Sequence, residues 1–204
     1  MLQAVGLACL RGERVVFADL SFTVASGEAV LLMGANGAGK SSLLRVLAGL
    51  IAPLEGQLLW DGTEALADRT AHARRLRYIG HGDALKPALS AAENLAFYAR
   101  LWGGQVAPAL AALGLSELAD LPARVLSSGQ KRRLALARLA LAMPAPGSPP
   151  AAPLWLLDEP TVGLDAASVE RLGALLAAHR AAGGMVLAAT HLPLPLPSAR
   201  ELRL

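Results

Sequence analysis

The chain has 204 residues, 54% of them apolar and 17% charged, with a formal net charge of +3. That length and balance exclude a disordered or collagen-like chain and fit one domain with a large core, or one domain carrying an inserted lobe. The charge is too small to argue for nucleic acid, and the single cysteine, Cys9, excludes an internal disulfide.

Met1 to Ala4 show no basic leader ahead of an apolar core, and no apolar run approaches the ~20 residues that cross a bilayer. The expectation is a soluble protein, and any work at a membrane requires another subunit to supply the span. Residues 15–24 alternate between apolar and polar, and Ser26-Gly27-Glu28 turns the chain into the apolar run 29–33. This predicts an antiparallel section followed by a first core strand. Arg11 and Phe17 are candidates to stack on an adenine ring, through a guanidinium plane and an aromatic face; the alternative is an exposed arginine and a core phenylalanine.

The next stretch organises the chain: Gly34-Ala35-Asn36-Gly37-Ala38-Gly39-Lys40-Ser41-Ser42, between the 29–33 strand and an amphipathic helix over 43–50. Glycines let successive backbone N–H groups face one concavity, and the positive end of the following helix points at the same spot. Strand, glycine loop and helix in that order predict a phosphate cradle. Lys40 would reach the β- and γ-phosphates, and the Ser41 hydroxyl would complete the shell of a Mg²⁺ ion. ATP and Mg²⁺ are the expected cofactors.

Pro53 and Gly56 break the chain, 57–60 reads as a strand, and Asp61-Gly62 as its turn. A basic helix-like segment over 69–77 feeds a strand over 76–79. There Arg74, Arg75 and Arg77 form a solvated face or touch acidic lipid or a partner. Residues 83–143 then change character and read as an inserted helical subdomain within a single 1–204 domain. Ser90-Ala91-Ala92-Glu93 is a capping box starting a helix through Leu101, which Gly103-Gly104 stops. Helices over 107–113 and 129–143 follow. The proline-rich stretch 143–150 reads as a surface loop with no chemistry. Strand–helix alternation resumes with a strand over 154–157, a helix over 166–182, the Gly183-Gly184 stop, and a strand over 185–189. A short strand-like tail covers 200–204.

Chemistry gathers at strand ends. Asp158 and Glu159 follow the apolar run 154–157, where ligands bind in open α/β sheets. Asp158 is placed to hold Mg²⁺, and Glu159 to orient or deprotonate the attacking water. His191 follows the last long strand and suits a γ-phosphate sensor. Ser127-Ser128-Gly129-Gln130 at the start of the 129–143 helix makes a second anion site, with hydroxyl, backbone N–H and helix dipole pointing one way. One polypeptide does not need two sites for one triphosphate. A homodimer, or paired copies in a complex, explains both.

Together these residues resemble the ATP-binding-cassette (ABC) ATPases. Residues 34–41 match the Walker A motif, 154–159 Walker B with its glutamate, 126–130 the signature loop, Gly163-Leu164-Asp165 the D-loop, and His191 the switch histidine. The resemblance implies a P-loop α/β domain with a mixed central sheet, an antiparallel β section and an inserted helical lobe. It also implies an ATPase that closes around two ATP molecules and passes its stroke to membrane-spanning permease subunits. Two positions depart from the pattern: Ser128 replaces the usual glycine, and His81 stands at the lid glutamine, the position that touches the metal and the attacking water. The usual adenine-stacking aromatic has no counterpart, since Arg11 falls near that place.

The runs Tyr78-Ile79-Gly80-His81, Leu89 to Tyr98 and Gln130 to Leu139 narrow the resemblance to the ATP-binding subunits of bacterial haem exporters in cytochrome c maturation. That group implies haem-handling membrane proteins as further partners and a peripheral place on the cytoplasmic face of the inner membrane. Rival readings are another export cassette, a nucleic-acid or ribosome-associated cassette, and a soluble P-loop kinase. Cassettes acting on nucleic acid usually carry coiled-coil insertions, zinc cysteines or a second cassette, none of which this sequence shows; no nucleic-acid partner is expected. A kinase would not need 127–130.

Overall fold

Apolar side chains distributed on both faces of short strands force a buried parallel sheet, and this sheet is the centre of the molecule. The computed structural model describes residues 1–143 and 148–204. Part of the expected proline-rich loop, residues 144–147, lies outside the described residues. Strands β3 (Ala29–Met33), β6 (Leu76–Ile79), β7 (Leu154–Asp158), β8 (Met185–Ala189) and β9 (Arg200–Arg203) pair in the order β6-β7-β8-β3-β9, every described pairing being parallel. Along β7, Leu154 and Leu156 enter one apolar cluster, while Trp155 and Leu157 enter the other. On β8, Met185, Leu187 and Ala189 share the first cluster with Leu154, and Val186 and Ala188 the second. Each fully buried leucine here is worth about 2 kcal/mol in area terms.

The first cluster lies between this sheet, helix α1 (Lys40–Leu47) and a separate antiparallel sheet. That sheet runs β2-β1-β4-β5, from β1 (Leu2–Arg11), β2 (Arg14–Val24), β4 (Glu55–Trp60) and β5 (Thr63–Glu64). Strand β1 escapes the sequence pattern for a physical reason. Its pairing with β2 shifts register after Ala4, Leu7 and Cys9, and Gly6 sits at φ +57°, so the buried residues Leu2, Ala4, Leu7, Ala8 and Cys9 do not keep a period of two.

The second cluster joins the opposite face of the parallel sheet to the helices inserted between β6 and β7. These are α3 (Ala91–Trp102), α4 (Val106–Ala112) and α5 (Ser128–Leu141). Ser90 and Glu93 form the expected capping box at the start of α3. Asn94, 5% exposed, uses its amide to tie down the preceding loop, accepting from the Lys86 N–H at 2.8 Å and donating to the carbonyls of Lys86, Leu89 and Ser90. Helices α2 (Arg69–Arg74) and α6 (Ala166–Ala181) complete the fold. The arginines expected on one solvated face are split. Arg74 and Arg75 are exposed, whereas Arg77 lies in β6, 4% exposed, with its guanidinium 4.2 Å above the Trp102 ring. Burial pushes its pKa down to about 10.

His179, near the end of α6, is fully buried and stacks on Trp155 with ring centroids 3.8 Å apart. A Cβ on Gly184 would overlap its ring, so that glycine is required by packing. Burial lowers the imidazole pKa to about 4, and burial likewise lowers that of His72. An unfolded imidazole titrates near ~6.5. Between about 6.5 and 4 the unfolded chain therefore binds protons that the folded chain excludes, and stability falls as pH drops through that window, by at most about 3 kcal/mol for His179. Denaturant titrations at pH 7.5 and 5 check this; equal free energies of unfolding would contradict it.

Candidate functional site

Strand β3 delivers the chain into residues 34–39, and the glycines there have a geometric reason to be glycines. Gly39, the residue capping α1, has φ +107°, and a Cβ on it would lie 2.5 Å from Val16 Cγ1. Gly34 has φ +146°, with the Leu204 carbonyl oxygen 3.0 Å from where its Cβ would be. The helix expected from residue 43 begins instead at Lys40, because the loop turns directly into α1. The first amides of α1 have no intrahelical acceptor and face the loop end. Asn36, Gly37, Gly39, Lys40, Ser41 and Ser42 line a cavity of about 520 Å³. Ala35 and Ala38 shape the loop from behind: the Ala35 carbonyl accepts from the Ala38 N–H at 3.1 Å and from Lys40 Nζ at 3.0 Å. Lys40 Nζ also donates to the Gly34 carbonyl at 2.6 Å, which holds the ammonium across the loop.

The end of β7 forms the opposite wall. The Ser41 hydroxyl donates to Asp158 Oδ1 at 2.9 Å. Asp158 is 1% exposed, and its Oδ2 is buried with no hydrogen-bond partner. A buried carboxylate oxygen of that kind, beside a serine hydroxyl and a phosphate loop, fits a hard cation with oxygen ligands. Glu159 follows with φ +50°, in the left-handed region, and its N–H donates to the Ala189 carbonyl at 2.7 Å. Its Oε2 lies 3.0 Å from His191 Nδ1 and accepts from the His191 backbone N–H at 3.3 Å. The sequence-predicted acid and sensor are therefore in direct contact.

At the open side of the cavity stand Arg11, Arg14, Val16 and Arg45. Arg11, the sequence's candidate to face the base, is among them; Arg14 and Arg45 were not singled out from the sequence. Phe17 packs against the first apolar cluster and does not line the cavity. His81 is exposed and also lies outside the cavity that Ser41 and Asp158 line. Among the described residues no cluster of three His, Cys, Asp or Glu side chains could hold a metal.

Ser127 to Gln130 lie elsewhere. Ser127 caps α5 in a second capping box: its Oγ accepts from the Gln130 N–H at 3.2 Å, and Gln130 Oε1 accepts from the Ser127 N–H at 2.8 Å. A hydroxyl that accepts still has its own hydrogen to donate. Ser127, Gly129 and Gln130, with Arg133 and the segment Gly163-Leu164-Asp165, line a cavity of about 250 Å³. Ser128 is exposed and outside it. Gly129 meets the Gly163 backbone so closely that a Cβ would sit 2.7 Å from its carbonyl oxygen. Asp165 caps α6, accepting from the Ser168 N–H at 2.8 Å, and bonding to Ser168 holds its carboxyl below the usual range. The two cavities share no lining residue.

A parallel sheet with a glycine loop at a strand end, and an inserted helical layer whose serine-capped helix lines a second, separate cavity, defines an ATPase of the ABC class. The chain belongs to the ABC transporter family, which matches residues 17–162. It is 53% identical over 208 residues to the cytochrome c biogenesis ATP-binding export protein CcmA of Paramagnetospirillum magneticum, covering 98% of this chain and 92% of that one. It is 54% identical over 201 residues to the protein of the same name from Rhodospirillum rubrum, covering 97% and 83%. Among solved structures, a dimeric ATP-binding cassette in a post-hydrolysis state bound to ADP and Pi is similar with a TM-score of 0.77 at 26% identity, over 94% of this chain and 88% of that one.

Proposed function

We propose that this chain is the ATP-hydrolysing subunit of a bacterial export complex for cytochrome c biogenesis, with haem as the cargo its membrane partners handle. The observation that carries the mechanism is the pair of anion cavities with no residue in common. Two copies facing each other place Ser127 and Gly129 of one over the triphosphate held by Lys40 of the other, which completes two sites at once. The similar solved structure is itself a dimer with ADP and Pi.

Within a completed site, Lys40 and the α1 amides hold the phosphates; Ser41 and Asp158 would hold Mg²⁺, which would supply charge neutralisation for the transferred group. Glu159 accepts the proton of the attacking water, and His191 holds its carboxylate. His81 takes the lid position and offers one hydrogen bond at the closed site. Arg11 gives the base a guanidinium face in place of an aromatic ring.

No helix among the described residues is long and apolar enough to cross a membrane; in this reading a permease subunit supplies the span and the chain sits peripherally on the cytoplasmic side. A groove of about 660 Å³ where α2 and β6 meet the end of α3 supports docking there. Arg69, Arg74 and the exposed Leu101 line it, together with Trp102 and the buried Arg77.

Purification from native membranes tests this reading. The chain is expected to bring down a multi-spanning permease and a haem chromophore, and deletion of its gene is expected to abolish haem attachment to c-type cytochromes. Normal c-type cytochromes in the deletion strain would overturn the export role while leaving the ATPase in place.

A further inference from the structure

Arg132, on the second turn of α5, is a charged residue where an amphipathic helix would place an apolar one, and it is 5% exposed. A guanidinium has five N–H donors, and here each finds an acceptor. Nη2 donates to the backbone carbonyls of Asp158 and Glu159, both at 2.8 Å, and Nε to that of Pro160 at 3.3 Å. Nη1 donates to the Gly80 carbonyl at 2.9 Å and to Asp83 Oδ1 at 3.3 Å. One side chain thus binds the α5 helix to the backbone of both site carboxylates and to the segment that carries His81.

Glu159 is the residue that needs such support. A left-handed φ costs a non-glycine residue about 1–3 kcal/mol and persists only where the surroundings over-determine it. The Ala189 carbonyl fixes the Glu159 N–H on one side; three of the Arg132 bonds fix the carbonyls on the other. Ser127, the cap of the same helix, stands at the second anion cavity. Any movement of α5 driven by a phosphate at Ser127 is therefore transmitted to the Glu159 backbone of the same subunit.

We propose that Arg132 is a positioning residue for hydrolysis: it sets the direction of the Glu159 carboxylate and links it, within one subunit, to the position of the helix that roofs the partner's nucleotide. The inference rests on the reading of Glu159 as the proton acceptor. A lysine offers three donors at a different reach and cannot satisfy five acceptors, so charge alone does not replace this arginine.

The test compares Arg132→Lys, Asp83→Asn and Glu159→Gln in the full-length protein with Mg²⁺-ATP. A misplacement of about 1 Å at a reacting group costs roughly 100-fold in rate. Arg132→Lys is accordingly expected to lower kcat by about 10- to 100-fold with KM for ATP within about threefold, and to move the acidic limb of the kcat–pH profile. Asp83→Asn removes one half-buried acceptor charge, leaves the 158–160 carbonyls alone, and is expected to lower kcat about threefold with KM unchanged. An unaltered kcat in Arg132→Lys, or a parallel loss of ATP binding and kcat, overturns the positioning role. If Arg132→Lys does not fold, Asp83→Asn decides: unchanged kcat refutes the link. Full activity in Glu159→Gln would instead refute the assignment of the base, which separates the two failures.

Discussion

Glu159→Gln is expected to stop steady-state ATP hydrolysis while leaving ATP bound and two copies of the chain paired around it. The substitution keeps the side chain's shape and its capacity to accept from the His191 N–H, 3.3 Å away in the parent. It removes the only property an amide cannot supply, a basic oxygen that takes a proton from water. Loss of a positioned general base costs about 10²- to 10⁴-fold, and the left-handed turn at residue 159 is unaffected because its support is backbone. Taking away a negative charge beside a triphosphate also reduces repulsion, so the nucleotide-bound dimer is expected to outlive that of the parent. Phosphate release and sedimentation velocity with Mg²⁺-ATP measure the two effects. Turnover within a fewfold of the parent would remove Glu159 from its role.

Lys40→Ala is expected to weaken ATP binding by about 10- to 150-fold, the equivalent of the ~1.5–3 kcal/mol of a charge-assisted hydrogen bond. The folded protein is expected to survive. The two carbonyls that Lys40 Nζ contacts, Gly34 and Ala35, lie on an exposed loop where water can replace the donor. Ser41, which holds Asp158 from the next position along, is untouched. Displacement of a fluorescent nucleotide gives the affinity, and a thermal melt in the absence of ATP gives the stability. Unchanged affinity would mean that the cavity of about 520 Å³ beside residues 36–42 is not where the phosphates sit.

Most elements were legible because their causes are local. The capping box at Ser90 announces α3, and the serine–glycine pair at 127–130 the start of α5, which the structure shows to be a second capping box. Gly183 and Gly184 end α6, and β6 and β8 lie where the apolar runs predict. Strand β1 was not legible, since its bulges spoil the alternation that marks a strand. The antiparallel section was legible, but its pairing as a sheet separate from the parallel one was not, because nothing in one strand states which edge it will meet.

The run Lys131-Arg132-Arg133 shows what a local pattern leaves open. Along the chain it is three basic residues following the helix start. Successive helical residues are rotated by about 100°, so three in a row cannot share one face of a packed helix. Here the middle one turns inward to Asp158, Glu159 and Pro160, while Arg133 donates to the Leu113 and Gly114 carbonyls. The rotation argument was a usable signal for a buried arginine; its partners were not deducible.

By itself the sequence determined the strand, glycine loop and helix around Lys40, most of the other strands and helices, and the helix start at 127–130, because glycine torsions, helix caps and apolar runs act over a few residues. Only the tertiary structure decided that Glu159 adopts a left-handed turn against His191, that His81 and Phe17 stand outside the nucleotide cavity, and that Arg132 joins residues 80 and 83 to 158–160. Those contacts span sequence separations of 26 to 52 residues. At that distance no periodicity survives in the chain, and partners are chosen by which faces are left to bury once the sheet has formed.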